Sequence, residues 1–259
     1  MNRVHHCHCA LRLGDSLANL HFLRKLAVKY PDHSFIYAAH VRYLHQLLEM
    51  SFDVPNIKLV PIEYVSPKSL DVWKNAGGFW EKHPLRFQYA AFMLSFFDMT
   101  AQEMGLKSPL EWPRDLLFDY PQLQKTPPRV EPFDILVVNS TPMSNQAPNY
   151  DPAGMDFLIS ELHKRYKIIV TQPSRIEGVR CSAAFGWSIT DIGNASLFCK
   201  NIVMVSTGPS WPTLNAWNLD TIENRIVILQ DERLGLGPNE THVPHVSGAR
   251  QALIEKGIL

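Results

Sequence analysis

Leu11-Arg-Leu-Gly-Asp-Ser-Leu17 lies between a strand-like run, residues 3–9, and an apolar-periodic run, residues 16–30, and its reading decides the fold. Leu17, Leu20, Leu23, Leu26 and Tyr30 recur at spacings of three and four, which predicts a helix over 16–30. Pro31-Asp32 breaks that helix. A strand at 34–39, a helix at 42–50 and a strand at 57–62 follow. This β-α-β-α-β order predicts parallel strands joined by right-handed crossovers. The quoted stretch is then a strand-to-helix connection at the carboxyl edge of a sheet, where open α/β folds bind ligands.

Further along, 73–84 reads as a Gly- and aromatic-rich loop, and 85–104 as a long apolar helix. Gln88, Ser95, Asp98 and Gln102 interrupt the helix, so it suits a protein core better than a bilayer. Residues 109–132 hold six prolines and no clean period, ending in a linker at 125–132. The alternation then restarts. Strands are predicted at 134–139, 167–171, 202–206 and 225–229. Helices are predicted at 151–166, from a cap at Thr190 or Asp191 to 199, from near Pro212, and at 246–256. The expected fold is α/β: two Rossmann-like lobes, an N-terminal one (1–124) and a C-terminal one (133–259), with a cleft between them.

Composition narrows the function. Lys plus Arg equals Asp plus Glu, 25 against 25, so the overall charge offers nothing to a nucleic acid. The four cysteines are too few and scattered for a disulfide scaffold, and no basic segment followed by an apolar stretch heads the chain. A cytoplasmic location is the expectation.

Four segments could carry chemistry. In the first, Gly14 permits a tight turn, and Asp15 could accept a proton from a sugar hydroxyl, with Ser16 beside it. Asp15 or Ser16 could equally cap the helix. In the second, Ser206-Thr-Gly-Pro-Ser-Trp-Pro-Thr213 follows an apolar strand. Thr207, Gly208, Ser210 and Thr213 at a helix start would make an anion site for a diphosphate. In the third, Asn139-Ser-Thr-Pro142 places Ser140 and Thr141 at the next strand end, as a phosphate contact or a plain turn. The fourth is the loop carrying Trp80 and His83, an acceptor lid or simple packing. His5-His-Cys-His-Cys9 invites a metal, but alternate residues of one strand face opposite ways, and zinc ligands come from turns or separated pairs. No metal site is expected there.

Leu13-Gly14-Asp15, running through Arg24 to Tyr30-Pro31, resembles the opening of the heptosyltransferase-type glycosyltransferases. Thr190-Asp-Ile-Gly-Asn-Ala-Ser-Leu-Phe-Cys199 and Ile202-Val-Met-Val-Ser-Thr-Gly-Pro-Ser210 are similar to that family's donor-diphosphate segment. The resemblance implies a two-lobed GT-B fold with an N-terminal acceptor lobe (1–124) and a C-terminal donor lobe (133–259), a nucleotide-sugar donor, a glycan or other hydroxyl acceptor, and no metal or cofactor. It implies direct displacement with Asp15 as base, with Thr207, Gly208, Ser210 and Thr213 on the departing diphosphate. Ser206 stands where the family usually has Asp, Trp211 where it often has His, and the chain is shorter across 105–132. Two alternatives remain. Gly14-Asp15-Ser16-Leu17 spells the motif of GDSL serine esterases, with Ser16 as nucleophile and Asn239-Glu-Thr-His242 as an imperfect base segment. A non-catalytic nucleotide-sugar-binding relative is the other.

Overall fold

The structure is a computed structural model that describes residues 3–72, 88–124, 131–143, 147–230 and 234–259. It divides into two compact units, Met1–Gln122 and Leu123–Leu259. Each is built on an all-parallel sheet.

In the first unit, β1 (Arg3–Cys9), β2 (His33–Ala39), β3 (Ile57–Pro61) and β4 (Leu70–Asp71) line up in the order β3-β2-β1-β4. Among the described residues, the helices α1 (Leu13–Lys29), α2 (Val41–Ser51) and α3 (Tyr89–Glu103) accompany it. The leucine stripe behaves as its spacing demands: Leu17, Leu20, Leu23 and Leu26 are all fully buried, each worth about 2 kcal/mol of transfer free energy. Phe22 of α1 stacks on Phe97 of α3 with centroids 4.4 Å apart. Buried Arg24 ties α1 to the end of α2 through the Asp53 carboxylate and the Met50 carbonyl. Asn56 donates to the carbonyls of Ala27 (3.0 Å) and His33 (2.9 Å), fixing the turn between α1 and β2.

Helix α1 starts three residues before the predicted start, so Gly14 and Asp15 lie in its first turn and not in a loop. The reason is local: the Asp15 carboxylate accepts the Arg12 N–H at 3.1 Å, which satisfies an orphan donor at the helix start. Residues 109–124 form two short 3₁₀ turns, Pro113–Leu116 and Pro121–Gln124, as their prolines require. Among the described residues no helix is long and apolar enough to cross a membrane.

The second unit holds β5 (Ile135–Val138), β6 (Ile168–Val170), β7 (Arg180–Cys181), β8 (Asn201–Val205), β9 (Asn224–Ile228) and β10 (Glu240–Val243), in the order β10-β9-β8-β5-β6-β7. Its helices are α4 (Pro152–His163), α5 (Ile189–Ala195) and α6 (Val246–Glu255). Met155, Leu158, Ile159 and Leu162 of α4 share one core with Ala249, Ala252 and Leu253 of α6 over the sheet. Successive residues of β5 are buried on both faces, the mark of a parallel sheet covered on both sides.

Two predicted helices need correction. Ser188, not Thr190 or Asp191, caps α5: its Oγ accepts the Asp191 N–H (3.2 Å), while Asp191 accepts the Ser188 N–H (2.9 Å). The helix ends at Ala195, before 199. The helix expected near Pro212 is instead a 3₁₀ segment, Gly208–Thr213, because two prolines in six residues cannot sustain α-helical hydrogen bonds.

Both sheets change direction at one place. In the first, the chain leaves β1 for β2 on one side, and β4 pairs on the other. In the second, β5 leads to β6 one way and β8 to β9 the other. Crevices outside the carboxyl ends of strands at such switch points are where doubly wound sheets take ligands.

Candidate active site

Asp15 stands beside the switch point of the first unit, half-buried at the start of α1. Burial raises its carboxyl above the ordinary value, while the Arg12 N–H and guanidinium pull it back part of the way. A carboxylate whose proton affinity is raised by desolvation suits a general base for a hydroxyl. The same carboxylate also makes the helix-start contact with Arg12, so capping and catalysis are compatible at this residue.

Ser16 is fully buried. Its carbonyl accepts the Tyr37 hydroxyl at 3.3 Å. The structure gives no support to Ser16 as an esterase nucleophile, because no substrate carbonyl can reach an oxygen sealed under α1. His242, the base of that reading, accepts the Leu234 N–H at 3.0 Å through Nε2. Gly14 is also buried, and neither Gly14 nor Gly208 has a positive φ. Trp80, His83 and the linker residues 125–130 lie outside the described residues.

The strand with the His/Cys run separates its side chains as alternation requires. Cys7 and Cys9 are buried under α1, with thiols pushed up to about 12 and about 11, so both stay protonated. His5 stacks on His33 and shares a 2.8 Å contact with it. Burial first, then His33, hold His5 below the usual imidazole value. His8, on the opposite face, meets Ser69 and Asp71. Among the described residues no group of three or more His, Cys, Asp and Glu side chains is arranged to hold a metal ion.

In the second unit, the connections after β8 and β5 flank the switch point. After β8, the Ser210 Oγ accepts the Thr207 N–H (3.2 Å) and donates to the Thr207 carbonyl (2.7 Å). Thr213 is fully buried and donates to the Ser210 carbonyl at 2.6 Å. The hydroxyls of Ser210 and Thr213 thus build the turn, whose partly exposed members are Thr207, Gly208, Pro209 and Trp211, and the Thr207 hydroxyl donates to the Val205 carbonyl at 3.3 Å. Behind it, buried Ser196 accepts from Asn218 (2.7 Å) and Asn215 (3.3 Å), and the two amides also donate to the carbonyls of Thr213 and Pro212.

After β5, the Asn139 side chain accepts the N–H groups of Thr171 (3.1 Å) and Gln172 (2.8 Å) and donates to the Gln172 carbonyl (3.0 Å). It extends the pairing of β5 with β6 by one residue. Ser140 is buried against Thr171, and Thr141 is exposed. Beside them opens a cavity of about 410 Å³ lined by Asn139, Thr141, Tyr150, Asp156, Gln172 and Arg175. Sequence reasoning missed Gln172 and Arg175; their position directly after the predicted strand 167–171 was the available signal.

Two Rossmann-like lobes in series, each with a ligand-type switch point, define the architecture of GT-B glycosyltransferases. No family model and no curated protein matches the sequence. Solved structures do match the fold. E. coli heptosyltransferase WaaC with ADP-2-deoxy-2-fluoro heptose is similar at a TM-score of 0.59 and 12% identity, over 98% of this chain and 99% of that one. The glycosyl transferase family 9 protein of Veillonella parvula gives 0.55 at 9% identity, over 99% of this chain and 89% of that one. The iron-containing dodecameric glycosyltransferase TibC of enterotoxigenic E. coli gives 0.58 at 15% identity, over 93% of this chain and 62% of that one.

Proposed function

We propose that the chain is a glycosyltransferase that moves a sugar from a nucleoside-diphosphate donor to a hydroxyl acceptor by direct displacement. One observation carries the reading: nearly the whole chain follows the fold of a heptosyltransferase whose complexes hold ADP or ADP-2-deoxy-2-fluoro heptose. Asp15 takes the proton of the acceptor hydroxyl as its oxygen bonds to the anomeric carbon. The bond from that carbon to the diphosphate breaks, and the nucleoside diphosphate leaves. Thr207 and Gly208, Ser140 and Thr141, and the Arg175 guanidinium form the donor side, where charge develops on the leaving group. Ser210 and Thr213 act by shaping the turn. The four cysteines are free, buried thiols, which suits the cytoplasmic setting expected from composition.

Calorimetric titration with ADP, UDP, GDP and their sugar conjugates tests the donor side. One diphosphonucleotide is expected to bind, and Arg175→Ala to weaken it about tenfold, or ~1.4 kcal/mol. Absence of binding by every nucleotide overturns the reading.

A further inference from the structure

We propose that the groove between α4 and α6 is a binding site for a neutral saccharide, separate from the donor turn. The choice of ligand class rests on the lining residues and not on the transferase reading above.

The groove is a cavity of about 590 Å³, within the range of small-molecule sites, and its lining includes Asp151, Gly154, Phe157, His245, Ser247 and Arg250. It lies across the sheet from the 3₁₀ segment of the donor turn. Val203 and Val205 of β8 join the core under α4 and α6. Met204, between them, faces the other way and meets the Thr213 hydroxyl at 3.6 Å.

Phe157 supplies a platform. Met155, Leu158 and Ile159 beside it on α4 are buried, while Phe157 is 57% exposed. One exposed ring needs no explanation by itself; this one borders a cavity among oriented polar groups. Arg250 is held by Glu161 at two points, Nε to Oε2 at 2.6 Å and Nη2 to Oε1 at 3.0 Å. Its guanidinium carbon lies 5.8 Å from the centre of the Phe157 ring. The Nη1 protons have no partner among the described residues, and the planar group is already fixed in orientation. On the α4 side, Asp151 Oδ1 accepts the Ala153 N–H at 3.0 Å as the helix cap. Asp151 Oδ2 lies over Gly154, where a Cβ would come within 2.5 Å of it. Glycine disfavours the helix at this position, and what it provides is room for that oxygen.

The charge pattern selects the ligand. An anion would meet Asp151 and Glu161, and a cation would meet Arg250. A neutral ring carrying hydroxyls can donate to Asp151, accept from Arg250 and lay its C–H face on the electron-rich face of Phe157. The His245 ring caps no N–H of α6, and His245 and Ser247 are both exposed at the same groove, where they can take further hydroxyls.

The test uses the full chain with methyl glycosides of glucose, galactose and mannose. Glycerol is the acyclic control, and adenosine is the control for stacking of a flat base. Carbon–proton spectra follow the His245 ring, whose cross-peak is identified by its loss in His245→Gln. At least one glycoside should shift that peak saturably at millimolar concentration, with glycerol and adenosine weaker by tenfold or more. Phe157→Ala, at an exposed position, should weaken that glycoside tenfold or more, and Gly154→Ala, which displaces Asp151 Oδ2, severalfold. Asp151 also borders the cavity of about 410 Å³, so the nucleotide control is read in Phe157→Ala, where affinity should stay within twofold. No shift with any glycoside, an equal shift with glycerol or adenosine, or unchanged glycoside affinity in either variant overturns the site. Failure of every nucleotide to bind, with the glycoside response intact, would sink the transferase reading and leave this site standing.

Discussion

The His21 Nε2 lies 2.8 Å from the Asp115 carbonyl, a bond from the middle of α1 to a segment 94 residues further on. The carbonyl can only accept, so the ring proton is on Nε2 and Nδ1 is bare inside the protein. Desolvation dominates, and it lowers His21 to about 4 against the opposing pull of the Asp115 carbonyl and the Asp119 carboxylate.

Stability should therefore fall on acidification. The unfolded chain takes up the His21 proton near 6.5 and the folded chain only near 4, so the contribution is complete above 6.5 and is lost as pH falls toward 4. At 1.36 kcal/mol per unit, the whole window is worth about 3 kcal/mol. Urea midpoints at pH 7 and pH 5 sample the upper part of that window, about 2 kcal/mol. His21→Gln, which keeps a donor for Asp115, should flatten the slope, and a slope as steep as that of the parent would assign the acid sensitivity elsewhere. His5, lowered too, adds a residual slope of the same sign.

Asp15→Asn separates capping from catalysis. The amide oxygen can still accept the Arg12 N–H, so α1 should start at the same residue. Because burial raises the Asp15 carboxyl, its charged form opposes folding at neutral pH, and the variant should melt at the same temperature or higher. Transfer should fall by a factor of about 10²–10⁴, with nucleotide affinity intact. In the parent, the acidic limb of kcat/KM should lie above that of an ordinary carboxylate. Undiminished turnover in the variant would remove Asp15 from the role of base.

Ser196→Ala probes the support of the Thr207-Gly208 turn. Ser196 is fully buried, donates to the Gly193 carbonyl at 2.6 Å, and receives two asparagine amides. Each amide keeps one other acceptor, so the loss should be ~2 kcal/mol, not the full cost of an orphaned group. A lowered urea midpoint at constant m-value is the expected signature. An unchanged midpoint would mean that the turn does not depend on this network.

The long-period features were legible before any coordinates. The leucines of α1, the β-branched runs of β5, β6, β8 and β9, and the order of elements all rest on many residues acting together, so local exceptions did not mislead them. The site was less legible. Asp15 could be placed at a sheet edge, but its helical position depended on its carboxylate accepting the Arg12 N–H, one hydrogen bond that no pattern announces. Gly208–Thr213 looked like a helix start because hydroxyls and Gly are common to both; the second proline tipped it to 3₁₀. His8 was read along its own strand, where it alternates with cysteines. Its partners, 61 and 63 residues away, are the residue just before β4 and the last residue of β4, and only pairing across the sheet brings them together.

Gly193 gives the sharpest test of the link between packing and the donor turn. A Cβ built there would lie 2.5 Å from the Leu123 side chain, 2.8 Å from the Pro212 Cβ and 2.9 Å from the Pro212 carbonyl oxygen. Leu123 can rotate away, but Pro212 belongs to the 3₁₀ segment itself and moves only if the segment moves. Gly193→Ala should therefore cost about 1–3 kcal/mol by overpacking, although alanine favours the helix intrinsically. The displacement should reach Thr207 and Gly208 along the same segment and lower nucleotide affinity tenfold or more. Measured under conditions where the variant is still fully folded, a normal affinity with lowered stability would show that Leu123 absorbs the clash and that the turn is held independently of α5.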